Sequence, residues 1–385
     1  MKIAICLQYP IDLRGGVSVL VETLLRELAA RGHEIVLVSP DTEESLRGLE
    51  AGKWIRQHIH FTPEQNSATD SKRLAEQIAT ARVDIAHFHS GGAFVWGGRF
   101  FCHSPIIHLD RLGIPCVSTV HLVVGLFEGY CGPQKPAWFK ALLLPPSWLG
   151  KMRQLRHVRR EITVSQHDFQ KLRRWYFPFR SKFVQIYHSR LGRAPEYFQA
   201  PKRGKIILNA GHIAWRKGQV VLAEAFAQIA PRHPEWILQL AGHDADGVSV
   251  QQIRRLIKER GLEGRIFLLG ERTDAFDLMS RAAIYVQPSF QEALGLALQE
   301  AMFAGCACIG SRAGGIPELI QENKTGLLFE PGNVTQLAAV LEALIADEAR
   351  REDFGRAAAA SIQKRGMTAE QMLENHLRLY ESIRR

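Results

Sequence analysis

Two glutamates bracket the most chemically suggestive stretch of this chain, Glu292-Ala-Leu-Gly-Leu-Ala-Leu-Gln-Glu300. Pro288-Ser289 closes a strand-like run, a glycine loop follows, and an apolar helix is expected from about Ala297 to Ala304. The start of such a helix offers unsatisfied backbone N–H groups and the positive end of its dipole to a diphosphate. At ~1.5 Å per helical residue the two carboxylates stand roughly 12 Å apart or somewhat more. The hexose and ribose of a nucleotide sugar laid across the helix start would be separated by about as much, and a carboxylate accepts vicinal hydroxyls in pairs. The plainer reading makes Glu292 a loop acid and Glu300 a solvated helix residue. Against it stand the neighbours of Glu300, namely Leu298, Ala301, Met302 and Ala304, which do not form a solvated face.

Other residues could take part. His121 closes a strand in Ser-Thr-Val-His, and His87 and His89 share one face of the strand before it. A metal pair there lacks a carboxylate at suitable spacing, so His89 is expected to line an acceptor site instead. Lys217-Gly218 follows another strand, and Gly15-Gly16 follows the first one. Asp244-Ala-Asp246 has metal-like spacing but lies in a loop, and no metal site is expected. The six cysteines are scattered without a Cys-x-x-Cys, as buried small residues of a reducing cytosol would be.

Taken together, these residues resemble family 4 of the retaining glycosyltransferases, which have the GT-B fold. The resemblance covers most of the chain and is strongest over 205–335. Three elements carry it in order: Glu292 and Glu300 with seven residues between, Gly314-Gly-Ile-Pro-Glu318, and Gly326-Leu-Leu-Phe-Glu-Pro-Gly332. It implies that Glu292 contacts the transferred sugar and Glu300 the donor ribose. Backbone amides of Ala293, Leu294, Gly295 and Leu296 would hold sugar and phosphates. Gly15 and Gly16 would let the backbone approach the diphosphate, where a side chain would obstruct it. Lys217 matches a diphosphate-binding lysine, whereas the usual arginine five residues earlier is His212, with Arg216 nearby as a substitute charge. The loop Gly270-Glu271-Arg272 would read the base through its backbone, and His121 would bond the donor sugar or lie near the reacting carbon. Two further departures are Tyr187-His188-Ser189 in place of Pro-Asn-Gly, which bears on hinge geometry, and Ala307 in place of a proline. The resemblance also implies retention at the anomeric carbon and no divalent ion or other cofactor.

These residues need elements to position them. Ile3, Ile5 and Leu7 begin a buried strand, a helix carries Val17, Leu20, Leu24, Leu25 and Leu28 on one face, and Glu34–Ser39 is a second strand. Strands at 83–88, 115–120 and 161–164 continue the alternation. After a linker near 192–204 the pattern restarts with strands at 205–209, 237–241, 266–270, 284–287, 306–310 and 326–329. The expected fold is α/β, two Rossmann-like doubly wound domains with a ligand crevice at the carboxyl ends of their strands. The expected boundaries are 1–192 for an acceptor-binding domain and 205–367 for a nucleotide-sugar domain. A final helix in 368–385 is expected to cross back to the first domain.

The chain has 385 residues, 46% hydrophobic and 23% charged, and a net charge of +10. Most of that excess falls in residues 131–180, where Glu161 and Asp168 are the acids. The segment 137–160 mixes aromatics, leucines and basic residues, which suits an anionic membrane surface, a polyanionic acceptor, or a core helix with a solvated basic side. No apolar run reaches the ~20 residues of a membrane span, and the amino terminus lacks a signal-peptide pattern. A cytoplasmic protein, peripheral at most to the inner membrane face, is expected. Its partners would be a nucleotide-sugar donor and a hydroxyl acceptor, not a nucleic acid. Two other functions stay open: a non-catalytic nucleotide-sugar-binding protein, favoured only by His212, and an epimerase of the same shape, which the donor motif disfavours. A Rossmann dehydrogenase is disfavoured, since no Gly-x-Gly-x-x-Gly follows the first strand.

Overall fold

The computed structural model describes residues 1–11, 15–62, 67–90, 103–123, 136–192 and 203–384. The chain divides into two compact units, Met1–Arg190 with Ala369–Arg385, and Leu191–Thr368.

In the first unit, strands β1 (Lys2–Leu7), β2 (Glu34–Ser39), β3 (Gln57–His60), β4 (Ile85–Ser90), β5 (Cys116–Val120), β6 (Arg160–Thr163) and β7 (Phe183–Gln185) form one sheet. Its order is β3-β2-β1-β4-β5-β6-β7, and every pairing is parallel. The helices are α1 (Gly16–Ala30), α2 (Glu43–Arg47), α3 (Ala68–Thr80), α4 (Pro105–Arg111), α5 (Ala137–His157) and α6 (Gln166–Trp175). The chain's last helix, α14 (Ala369–Arg384), also packs in this unit, against α1. β1 and β2 read as nearly continuous apolar runs because helices cover both faces, whereas β4 is equally buried but carries His87, His89 and Ser90. The edge strands β3 and β7 escape the sequence reading because four or three residues with polar neighbours carry no apolar period.

In the second unit, β8 (Gly204–Ala210), β9 (Ile237–Ala241), β10 (Ile266–Gly270), β11 (Ala282–Gln287), β12 (Ala307–Ser311) and β13 (Leu327–Phe329) pair in the order β10-β9-β8-β11-β12-β13, again all parallel. Around it lie α7 (Gln219–Ile229), α8 (Ser249–Arg260), α9 (Ala275–Arg281), α10 (Leu296–Phe303), α11 (Ile316–Leu319), α12 (Val334–Ala346) and α13 (Glu348–Lys364). Its core includes Phe226, Trp236, Ile284, Ile309, Phe329 and Leu341, all buried. The fold class read from the sequence holds: two doubly wound Rossmann-like sheets.

Strand order reverses between β1 and β4 in one sheet and between β8 and β11 in the other. Ligands of open α/β sheets bind beside such switch points, at the carboxyl ends of the strands. The loops after β8 and β11 carry Lys217 and Glu292.

Of the cysteines, Cys6, Cys116, Cys306 and Cys308 are free and buried. Cys102, Cys131 and the linker residues 193–202 lie outside the described residues.

Candidate functional site

Along β11 and just past it, Tyr285, Gln287 and Ser289 alternate with apolar neighbours and so share a direction. They build a scaffold for one carboxylate oxygen. Tyr285 donates from its hydroxyl to Gln287 Oε1 at 3.0 Å. Gln287 Nε2 donates to Ser289 Oγ at 2.9 Å and to Glu292 Oε2 at 3.1 Å. Ser289 Oγ donates to the same Glu292 Oε2 at 3.1 Å, and Lys217 Nζ pairs with it at 2.7 Å. Oε1 of Glu292 receives no hydrogen bond among the described residues. Burial by itself would push the Glu292 carboxyl up. The charge and hydrogen bond of Lys217, with Arg216 and Ser289, outweigh that and hold it below the usual carboxylate value.

The backbone around this carboxylate is fixed by close approach. A Cβ on Gly314 would meet Glu292 O at 1.7 Å, and Gly314 also has φ +53. Gly315 N–H donates to that same carbonyl at 3.2 Å. The Gly-Gly of Gly314–Glu318 is therefore the surface against which Glu292 is pressed. Likewise a Cβ on Gly218, at φ +71, would meet Pro288 O at 2.0 Å. Phe290 N–H donates to Arg216 O at 2.8 Å. The Lys217 loop is thus laced to the Glu292 loop.

Gly295 caps α10 in the left-handed region, φ 99 and ψ 69. The N–H groups of Ala293, Leu294 and Gly295 have no protein acceptor among the described residues. Leu296 opens α10, and Glu300 lies buried in it, 4% exposed. Burial pushes the Tyr285 phenol up, and Glu300 and Glu292 both lie near enough to add to the shift. The two bracketing glutamates therefore flank one tyrosine.

His212 packs against His243 with ring centroids 4.1 Å apart and the planes tilted by 41°. Gln219 holds the His212 loop, donating from Nε2 to His212 O at 2.9 Å. Arg272 has its guanidinium committed to Asp274, through contacts of 2.8 and 2.6 Å. Asp246 caps α8 and accepts from Trp215 N–H at 2.7 Å, which accounts for the Asp-x-Asp structurally. No group of three or more His, Cys, Asp or Glu is arranged to hold a metal among the described residues.

In the first unit, Gly15 caps α1 with φ −97 and ψ 162, extended backbone that any residue adopts. Gly16 opens the helix and is exposed. His121 belongs to a cluster of buried imidazoles, with His87 and His89 on β4, His188 after β7 and His376 on α14. Neighbouring rings lie 4.1 Å (His87–His89), 5.3 Å (His89–His121), 5.3 Å (His121–His188), 5.5 Å (His188–His376) and 5.6 Å (His376–His87) apart, closing a circuit. Burial pulls His121 down to about 3 and His376 to about 4, and it holds His87, His89 and His188 well below the ordinary value. His89 is fully buried, so it lines no acceptor surface, contrary to the expectation from its strand position. His188, read above as a hinge residue, is a member of the cluster.

Sequence reasoning missed Tyr285, Gln287 and Ser289, although three polar residues at period two on a buried strand were a signal. It also missed His243, His376 and Tyr380. The last two sit four residues apart, on one face of α14.

Residues 194–361 match the family model described as Glycosyl transferases group 1, and residues 14–189 match Glycosyltransferase Family 4. The chain is 31% identical to N-acetyl-alpha-D-glucosaminyl L-malate synthase of Bacillus anthracis over 181 residues, 47% of this chain and 46% of that one. The match thus spans about half the length of that relative. D-inositol 3-phosphate glycosyltransferase of Arthrobacter sp. (strain FB24) is 26% identical over 388 residues, 91% of this chain and 86% of that one. Among solved structures, Anabaena Alr3699/HepE in complex with UDP and glucose superposes with TM-score 0.74 at 17% identity, covering 98% of this chain and 99% of that one.

Proposed function

The chain belongs to the group 1 glycosyl transferases of GT-B fold, and on that premise we propose that it transfers a hexose from a UDP- or GDP-sugar to an acceptor hydroxyl with retention. One observation carries this reading. Glu292 has Oε2 held by three donors and Oε1 left open, beside the unsatisfied amides that begin α10. A carboxylate pinned by one oxygen presents the other in a fixed direction, ready to accept from sugar hydroxyls.

In this assignment the donor diphosphate lies at the start of α10, against the amides of Ala293, Leu294, Gly295 and Leu296. Lys217, Arg216 and His212 lie on its other side. Glu300 takes the ribose hydroxyls, and the backbone at Arg272 meets the base. Gly15 and Gly16 leave room for the diphosphate, and His121 bonds the donor sugar. The acceptor oxygen bonds to the anomeric carbon on the face from which the phosphate oxygen departs, and that phosphate oxygen takes the acceptor's proton. No side chain is then the base. Lys217 and the helix start stabilise the charge that develops on the leaving diphosphate.

The acceptor side is proposed to meet an anionic membrane surface. Trp138, Leu142 and Leu149 are exposed on α5, and Arg153 and Arg156 continue the same helical stripe. Among the described residues no helix is long and apolar enough to cross a membrane, so the stripe suits lying on a surface. Sedimentation with anionic vesicles at low salt is expected to pull the protein down, and failure to do so removes the membrane from the proposal.

A thermal-shift screen of UDP-, GDP- and ADP-sugars tests the donor, since a ligand that binds only the folded state raises the melting temperature. One nucleotide class is expected to stand out and to support transfer of labelled sugar. Binding without transfer would favour a non-catalytic binding protein, and a product with inverted anomeric configuration would sink retention.

A further inference from the structure

Four contacts restrict the protons of the histidine cluster. His376 Nδ1 lies 2.8 Å from Met372 O, a carbonyl that only accepts, so His376 carries its proton on Nδ1. His87 is held at both ends, with Nδ1 2.6 Å from the Tyr380 hydroxyl and Nε2 2.7 Å from Thr119 Oγ1. His89 packs against that fixed ring at a tilt of 37°, and its Nδ1 lies 3.0 Å from His121 Nε2. One of these two nitrogens must donate to the other.

The other nitrogen of His89 decides which. His89 Nε2 is buried and has no hydrogen-bond partner among the described residues. If Nδ1 of His89 accepted, the proton would sit on Nε2 as a buried N–H without an acceptor, the rarest kind of unsatisfied group in folded proteins. If Nδ1 donates, Nε2 is left as a bare lone pair, as His376 Nε2 is. The geometry assigns to His89 the role of a positioning residue that donates from Nδ1 to His121 Nε2, and so holds His121 as the Nδ1–H tautomer. The main chain of the same residue is tied to the end of β4, His121 N–H donating to Ser90 O at 3.0 Å. His121 Nδ1 has no partner among the described residues, so the nitrogen left for a ligand is a hydrogen-bond donor.

The consequence deepens the function proposed above and, in its kinetic part, rests on it. A His121 fixed as Nδ1–H can donate to an oxygen of the donor sugar but has no lone pair with which to deprotonate an acceptor. That suits a reaction in which the departing phosphate oxygen takes the proton. Burial keeps His121 neutral down to about pH 3, so over the working range its tautomer, and not its charge, sets what it can do.

Long-range proton–nitrogen NMR on the full-length, histidine-labelled protein reads the tautomer directly. His121 signals are assigned by their loss in His121→Gln. The expected result is a pyrrole-type Nδ1 and a pyridine-type Nε2 on His121. The reverse pattern overturns the assignment and makes His121 a candidate base. In His89→Phe the preference for Nδ1–H is expected to be lost and turnover to fall about tenfold, the equivalent of one hydrogen bond. His89→Asn, whose amide N–H stands where Nδ1–H does, is expected to restore both. A merely structural His89 would leave the His121 signature unchanged in His89→Phe. The wild-type spectrum decides the question even if that variant fails to fold. If His121→Phe keeps full turnover while the tautomer is as assigned, the role of His121 in transfer falls and the His89 assignment stands.

Discussion

The Glu292 site and the histidine cluster both sit at the carboxyl ends of parallel strands, yet the first is assembled from ions and the second from neutral rings. Glu292 is held by Lys217, and the surrounding charges pull its carboxyl down against the effect of burial. In the cluster, no carboxylate figures among the groups that shift any of the five histidines; burial comes first, and for His87, His89, His121 and His188 the other rings add to it. A charged site can tolerate acid until its carboxylate protonates. A cage of neutral imidazoles cannot, because the unfolded chain takes up protons that the fold excludes.

The largest expected effect follows from that contrast. Each cluster histidine is protonated near 6.5 when unfolded and at a lower pH when folded, to about 3 for His121 and about 4 for His376. Their contribution to stability is therefore complete above the unfolded value and is lost as pH falls below it. Each fully depressed histidine costs about 1.4 kcal/mol per pH unit in that window. Glu292 has the same sign in a more acid window: its depressed value adds stability that is complete above the ordinary carboxylate range and is lost only as pH falls from there to the folded value. Hydrogen exchange followed by mass spectrometry between pH 7 and pH 4 should show the amino-terminal unit, with α14, opening before the second unit. Equal loss in both would break the comparison.

Next comes the carboxylate itself. Glu292→Gln is expected to lower kcat by about 10²–10³-fold, the scale for removing a charged group aimed at the reacting centre. Unchanged turnover would end its assignment to the sugar. Gly314→Ala should follow, since a methyl there meets the Glu292 carbonyl and the backbone sits at φ +53. A left-handed non-glycine residue costs about 1–2 kcal/mol before any clash. Melting temperature and kcat should fall together, and a variant that keeps both would show that the loop can yield. In Lys217→Met the largest force holding the Glu292 carboxyl down is removed while burial still pushes it up, so the acid limb of the pH–rate profile should move to higher pH. An unmoved limb would mean that another cation sets the Glu292 value.

How much of each site could be read from the chain follows from how each is wired. Glu292, Gly295, Glu300 and Gly314 fall within one short stretch, where local spacing already implies a loop, a helix start and a close backbone approach. Lys217 comes from a loop that its neighbouring glycine marks. The cluster draws on β4, the ends of β5 and β7, and a helix at the far end of the chain. His87 and Tyr380 meet across 293 positions, and no local pattern announces such a pairing. Packing of α14 into the first unit is what creates it. The edge strands β3 and β7 were hidden for a related reason, since their order comes from pairing and not from their own residues.

The smallest expected effect concerns the one place where the charged site resembles the neutral one. His212 stands where an arginine would be expected from the family resemblance, and its ring lies on His243. The two loops that carry them are locked together: Gly211 N–H donates to Ala241 O at 2.8 Å, and Ile213 N–H to His243 O at 2.9 Å. A Cβ on Gly242 would meet Gly211 O at 2.0 Å, so the paired rings rest on closely apposed backbone. An imidazole offers a phosphate one N–H when neutral, whereas a guanidinium offers a planar fork and a permanent charge. His212→Arg is therefore expected to tighten donor binding by about threefold to tenfold, the value of roughly one added hydrogen bond, with little change in kcat. Calorimetric titration with the nucleotide sugar that gives the largest thermal shift measures it. Weaker binding would mean that the His212–His243 pair does something for the donor that a guanidinium cannot.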